Sequence, residues 1–335
     1  MTPNNTILTD DFGRKHNYLR ISLIEKCNLR CTYCMPADGI LLSPKKDLMT
    51  ADEIFQIAKT FVANGVDKIR LTGGEPLLRK DFPEIIAKLA SLKTEISITT
   101  NGILVDRHLA VLKQFNVQKI NLSLDTLVAS KFQTITLRNQ FEKVVDNLHL
   151  LLNNDFKIKV NVVLIKGFNE DEIIDFIKLT EFLPISIRFI EFMPFAGNEW
   201  DRSKMVSQSE ILEQVNTHFL ASEIQKLDEE KNFTAREFKI KNYLGSFGII
   251  SSITNPFCDG CNRIRLTANG KIKNCLFSNA ETDLLTALRN DENIDDLIRF
   301  SIKNKKKVRA GMNTLQDLNN PVLNQDNRSM IAIGG

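Results

Sequence analysis

The chain has 335 residues, 43% hydrophobic and 25% charged, with a formal net charge of +3; that length predicts one large domain plus a smaller one. The near balance of charge excludes the basic face of a nucleic-acid binder, and no stretch reaches the roughly 20 apolar residues of a membrane helix. The start, MTPNNTILTD, has no basic segment followed by an apolar run, so no secretory signal is expected and a cytoplasmic enzyme follows.

In chain order, residues 18–24 alternate as a strand. Thr50-Ala-Asp-Glu53 is a capping box. It opens a helix whose one face is Ile54, Ile57, Ala58, Phe61 and Val62, closed at Gly65. Strands are then predicted over 68–71, 96–99, 120–124, 158–165 and 185–192. Helices are predicted over 82–92, 107–115, 141–152 and 171–182. Such β–α steps with short links imply a parallel sheet with right-handed crossovers. An open doubly wound sheet and a curved partial barrel both satisfy that pattern. Cys27, Gly73-Gly74-Glu75-Pro76, Thr99-Thr100-Asn101-Gly102, Ser123 with Asp125, and Met193 all fall at carboxyl ends of strands. Parallel sheets and barrels build their sites there, and one site shared by several strand ends favours the curved barrel. The fold class read here is α/β, a partial (β/α)6 barrel over residues 1–200. The pattern changes after Trp200. A helix over 209–219, strands over 235–240 and 247–253, and a hairpin over 263–277 around Asn269-Gly270 make 201–335 a partly antiparallel extension. The basic run Lys303–Arg309, KNKKKVR, reads as the solvated end of a helix.

All six cysteines fall into two sets of three, Cys27-x3-Cys31-x2-Cys34 and Cys258-x2-Cys261-x13-Cys275. In a reducing compartment metal binding or catalysis is the better reading than disulfides. Zinc wants four N/S ligands, and no histidine lies close to either set, His16 being the nearest to the first. In a cubane iron–sulfur cluster each of four irons wants one outer ligand, so three thiolates leave one iron open to a small molecule. Tyr33 fits either adenine stacking or ordinary core packing. Arg263 and Arg265 share a strand face beside Cys261, with Ile264 and Leu266 on the other. Beside a cluster they form an anion site; elsewhere they would be a solvated face. Arg20, Arg70, Lys159 and Arg188 interrupt apolar strands, where an unpaired charge is costly.

The C-x3-C-x2-C run, followed one β–α step later by Gly-Gly-Glu-Pro, resembles the signature of the radical S-adenosylmethionine (SAM) superfamily. Joined to C-x2-C-N-R-x-R and a later cysteine, the sequence resembles the GTP 3′,8-cyclases, molybdenum cofactor biosynthesis protein A, nearly end to end. That includes the terminal Met330…Ile333-Gly334-Gly335. Leu137-Arg138-Asn139 stands where relatives often carry a glycine. The resemblance implies two [4Fe-4S] clusters. Cys27, Cys31 and Cys34 would hold the catalytic cluster that binds SAM; Cys258, Cys261 and Cys275 would hold a substrate cluster. Tyr33, Gly74, Glu75, Ser123 and Met193 would meet SAM. Arg20, Arg70, Thr99, Lys159, Arg188, Arg263, Ile264 and Arg265 would meet GTP, and the Gly-Gly tail would reach into the site. The implied reaction converts GTP to 3′,8-cyclo-7,8-dihydro-GTP, the first step of molybdenum cofactor biosynthesis. The implied partners are a reductant such as flavodoxin or ferredoxin and, functionally, cyclic pyranopterin monophosphate synthase. No nucleic acid or membrane is expected, and the state is a monomer or homodimer. The alternatives are a radical SAM enzyme acting on a peptide or another nucleotide, an iron–sulfur electron carrier, and a zinc-stapled binding module.

Overall fold

The computed structural model describes residues 7–35, 39–195, 197–198, 200–228, 232, 234–320 and 327–334. Gly335 of the terminal pair lies outside the described residues. The first six strands are β1 (Tyr18–Ser22), β2 (Lys68–Thr72), β3 (Glu95–Thr100), β4 (Lys119–Ser123), β5 (Lys157–Leu164) and β6 (Ser186–Glu191). Between them run α1 (Ala51–Ala63), α2 (Phe82–Ala90), α3 (Val105–Gln114), α4 (Ala129–Thr136), α5 (Phe141–Leu152) and α6 (Ile173–Phe182). The capping box forms as read: Glu53 N donates to Thr50 Oγ1 at 3.2 Å and Thr50 N to Glu53 Oε2 at 2.7 Å. Four orphan N–H groups at a helix start need such partners, which is why α1 begins there.

Side chains alternate along each strand. Leu19, Ile21, Ile69, Leu71, Ile98, Leu122, Val160, Val162, Ile187 and Phe189 take one face and pack beneath the helices as the core. The opposite face carries Arg20, Arg70, Thr99, Ser123, Asn161 and Arg188, which line internal cavities instead. Burying a Leu, Ile or Phe side chain is worth about 1.5–3 kcal/mol, so this alternation fixes which face turns inward.

The C-terminal region adds α7 (Gln208–His218), β7 (Ile224–Lys226), β8 (Arg236–Ile240), β9 (Ser246–Ile250), β10 (Arg263–Leu266), β11 (Lys271–Lys273), β12 (Thr282–Asp283), α8 (Leu285–Arg289) and α9 (Asp295–Lys303). The sheet order is β12-β11-β10-β1-β2-β3-β4-β5-β6-β9-β8-β7. β9 pairs in parallel with β6, and β10 in parallel with β1. The parallel run is therefore two strands longer than the sequence pattern indicates. The β8/β9 and β10/β11 pairs are antiparallel, as read. Local alternation marks a strand but not its partner: the β1–β10 seam includes an Asn262–Asn17 hydrogen bond across 245 positions. α4 was also absent from the sequence reading. Its Phe-Gln-Thr-Ile-Thr run has weak helix propensity, and burial of Phe132, Ile135 and Thr136 holds it.

Candidate active site: two cysteine triads joined by a cationic cavity

The first triad lies on the loop leaving β1. Arg30 N and Thr32 N donate to Thr136 O and Ile135 O, both at 2.9 Å, so the loop satisfies carbonyls that end α4. Gly74 abuts the loop from the other side. A Cβ built there would stand 2.3 Å from Lys26 O and 3.1 Å from Cys27 N, so only glycine permits this approach. The three cysteines line one cavity, and their thiols lie near enough to feel one another's charge. Burial pushes the Cys27 thiol up to about 11 and the Cys34 thiol to about 12, helped by the nearby Glu75 and Asp125 carboxylates. Thiols so disfavoured as thiolates suit coordination to a cationic iron centre, which supplies the missing positive charge.

The cavity brings the cysteine loop together with the carboxyl ends of several strands, through Thr72, Thr100, Ser123 and Glu191. Tyr33, Gly74, Ser123 and Met193 line it. Tyr33 OH donates to Asp125 Oδ2 at 2.8 Å, and Asp125 Oδ1 accepts from Val163 N at 2.8 Å. Burial lifts Asp125 to about 6. Glu75 is placed differently. It is fully buried behind the wall, and its carboxylate accepts from Thr100 Oγ1, Asn101 N and Leu77 N at 2.8–3.0 Å. Its donors are therefore internal, and it braces the Gly-Gly turn and the β3 exit.

The second triad sits at the other end of the neighbouring strand. Cys261 precedes Arg263, the first residue of β10, and Arg263 is in register with Tyr18, the first residue of β1. Cys27 follows the far end of β1. The two triads thus lie beyond opposite ends of the adjacent strands β1 and β10. Cys258, Cys261 and Cys275 line a second cavity with Arg20, Arg70, Arg188, Arg263 and Arg265. The two cavities share Thr99, Asn161, Ile190, Met193 and Met330 as walls, so they meet.

The cations form rows. Arg265, Arg20 and Arg70 are cross-strand neighbours, and so are Arg263, Tyr18 and Lys68. Tyr18 lies under Arg20, Lys68 and Arg70, each 5.3–5.6 Å from its ring centre. Arg188 Nη2 pairs with Glu237 Oε1 at 2.6 Å. Nε atoms of Arg20, Arg188, Arg263 and Arg265, and Thr99 Oγ1, are buried without a protein partner. Burial, then neighbouring charge, holds Arg70 and Arg265 below their ordinary range. A guanidinium stays protonated at ordinary pH, so this strain is a demand for an anion. Lys159 is on the same strand face lower down, pushed to about 8 by burial and then by Arg188. Ile264 points the other way, into the core.

Arg263 and Arg265 are buried, not a surface face. The solvated reading of the run Lys303–Arg309 is overturned. In Lys303–Arg309, Lys305 and Arg309 are buried, with Lys305 Nζ 3.4 Å from Cys261 Sγ. Burial raises the Cys261 thiol, but the Lys305 and Arg263 charges prevail and bring it down to about 6. The chain folds back after α9, a contact across 44 positions that composition cannot announce. The C-terminal tail also enters the site. Lys273 Nζ donates to Asn327 Oδ1 at 2.9 Å. Gly334 has φ 82°, and a Cβ there would sit 2.5 Å from Thr72 Oγ1 on the cavity wall.

Residues 21–180 match the Radical SAM superfamily and residues 185–310 match Molybdenum Cofactor Synthesis C. The chain is 46% identical to molybdenum cofactor biosynthesis protein 1 of Mus musculus, covering 99% of this chain and 52% of the relative. It thus spans about half the length of several curated relatives it matches. It is 44% identical to a GTP 3′,8-cyclase, mitochondrial, of Arabidopsis thaliana, covering 99% and 85%. With GTP 3′,8-cyclase of Peptoclostridium acidaminophilum it shares 41%, covering 91% and 94%. In fold it resembles Streptococcus suis SuiB, with TM-score 0.61 and 16% identity over 86% of this chain and 67% of that one. Another structure of SuiB, bound to S-adenosylmethionine, gives 0.59 and 17% over 84% and 65%. With the paired triads and the glycine-bounded cysteine loop, these matches make the chain a member of the GTP 3′,8-cyclase family within the radical SAM superfamily.

Proposed function

We propose that this chain converts GTP to 3′,8-cyclo-7,8-dihydro-GTP. The observation that carries the reading is the junction of the two cavities: a cysteine triad at each end, arginines with buried nitrogens that no protein atom accepts from, and shared walls between. Cys27, Cys31 and Cys34 would hold the cluster that binds SAM; Cys258, Cys261 and Cys275 would hold the second. When bound, these groups would supply the 5′-deoxyadenosyl radical that takes the ribose 3′ hydrogen; C3′ would then close on guanine C8, and one further electron from the reductant and a proton would complete the dihydro ring. The chain's own residues do the rest. Arg20, Arg70, Arg263 and Arg265 grip the triphosphate through guanidinium forks. Thr99, Asn161 and Met193 position the ribose where the cavities meet. Tyr33, Ser123 and Gly74 orient SAM. Met330 and the tail close the mouth, and a dry cavity keeps a carbon radical from reacting elsewhere.

We take residues 1–200 as the unit bearing the first triad and 201–335 as that bearing the second. The electron enters from a flavodoxin or ferredoxin, the product passes to cyclic pyranopterin monophosphate synthase, and the enzyme works in the cytoplasm as a monomer or homodimer. Among the described residues no helix is long and apolar enough to cross a membrane. The test is anaerobic incubation with SAM, dithionite and GTP, reading 5′-deoxyadenosine together with a nucleotide that is isomeric with GTP but separable from it. 5′-Deoxyadenosine without any new nucleotide, with GTP unchanged, would sink the assignment and favour a peptide substrate.

A further inference from the structure

The run Lys303–Arg309 is the sequence motif that the proposed reaction leaves unused. Lys305 is 3% exposed. Its Nζ lies 3.4 Å from Cys261 Sγ and donates to Arg263 O at 2.9 Å. An ammonium taken out of water needs a compensating partner, and here it faces a thiol rather than a carboxylate. The backbone that follows is held in an unusual shape. Arg309 and Ala310 have φ of 38° and 57°, a region that non-glycine residues rarely adopt. The main-chain N–H of Arg309 thereby supports the Cys258 sulfur. Arg309 is fixed by Ile253 O, Met312 O and Asn313 O at 2.8–3.0 Å. Arg14 clamps the same region from the N-terminal side, donating to Cys258 O and Lys307 O at 2.8 Å and to Lys306 O at 3.0 Å. Among the described residues no such cation acts on the first triad. Cys27 meets Leu29 N and the Asn101 amide at 3.4 and 3.6 Å; the carboxylate near it is Glu75, and the one near Cys31 and Cys34 is Asp125.

We propose that Lys305 tunes the second cluster: its ammonium, held against Cys261, favours the more negatively charged reduced form and raises that cluster's reduction potential relative to the first. This rests on the reading that both triads hold clusters. Hydrogen bonds and charges at ligating sulfurs are a general lever on such potentials. Reduction adds one electron from an external donor. That extra negative charge is stabilised beside the second triad and penalised near the carboxylates of the first. Lys305 is therefore a positioning and tuning residue, not a catalytic one.

The test is potentiometric titration of the anaerobically reconstituted full chain, followed by electron paramagnetic resonance. The signal that SAM perturbs reports the first cluster, and the signal that GTP perturbs reports the second. For Lys305→Met we expect full iron and sulfide content, an unchanged first midpoint, and a second midpoint lowered by about 59 mV, a tenfold fall in the one-electron equilibrium constant. Lys305→Arg should recover most of the shift. Two unchanged midpoints in a fully loaded Lys305→Met would overturn the proposal. Should Lys305→Met lose the second cluster, Lys305→Gln decides: it keeps an N–H but no charge, and an unshifted midpoint there is equally fatal. Wild-type chain that binds only about four irons would instead refute the two-cluster reading on which the proposal stands.

Discussion

Arg265, Arg20 and Arg70 stand side by side on three adjacent strands, an arrangement that costs stability unless an anion sits among them. A guanidinium–phosphate contact is worth about 1.5–3 kcal/mol, so Arg263→Ala or Arg265→Ala should weaken GTP binding roughly ten- to hundredfold. Guanosine, which has no phosphates, should lose far less; anaerobic calorimetry with both ligands measures the difference, and equal losses would place the triphosphate elsewhere. Lys159 adds a pH dependence. Its ordinary value is 10.5 and burial brings it to about 8. The folded protein therefore binds fewer protons than the unfolded chain between those values, so ligand-free stability should rise with pH across that window. GTP affinity should move the other way, falling up to about tenfold from pH 7 to pH 9 as the ammonium loses its proton. Lys159→Met should flatten that slope. These inward cations were legible because each interrupts an apolar strand. Lys305 was not: nothing near it in sequence points to Cys261, and a run of lysines looks the same whether solvated or folded back. Glu75 shows the converse limit, since its motif announces a ligand while its carboxylate serves Thr100, Asn101 and Leu77.

Among the elements, α4 connects fold to chemistry because its last carbonyls hold the cysteine loop. It ends on Leu137, which is left-handed at φ 55° and 55% exposed. That conformation costs a non-glycine residue roughly 1–2 kcal/mol, partly offset by the greater freedom glycine brings to the unfolded chain. Leu137→Gly should therefore stabilise the protein by about 0.5–1 kcal/mol, read by chemical denaturation, with SAM cleavage unchanged. Destabilisation would mean that the Leu137 side chain packs usefully despite its exposure. Apart from α4, the strands and helices through β6 were legible from period and capping. Their pairing with β9 and β10 was not, because a strand's direction is decided by distant partners and its sequence reads alike either way.

At the scale of the molecule, the parallel seams β1–β10 and β6–β9 make the C-terminal region part of the same sheet. A fragment of residues 1–200 would expose β1 and β6 as open edges, which are templates for aggregation. We expect that fragment to be aggregated or protease-sensitive where the full chain is not, measured by size-exclusion chromatography and limited proteolysis; a soluble, protease-resistant monomer would show that the barrel needs no seam. The β1–β10 seam also has a history in time. Its members lie 245 positions apart, and a ribosome adding about 5–20 residues per second needs roughly 10–50 s to bring the second to the first. Throughout that interval β1 keeps one edge that no emerged strand covers, beside the first cysteine loop. The later triad has no such window, because its cysteines leave the ribosome together with the strand that shuts the seam.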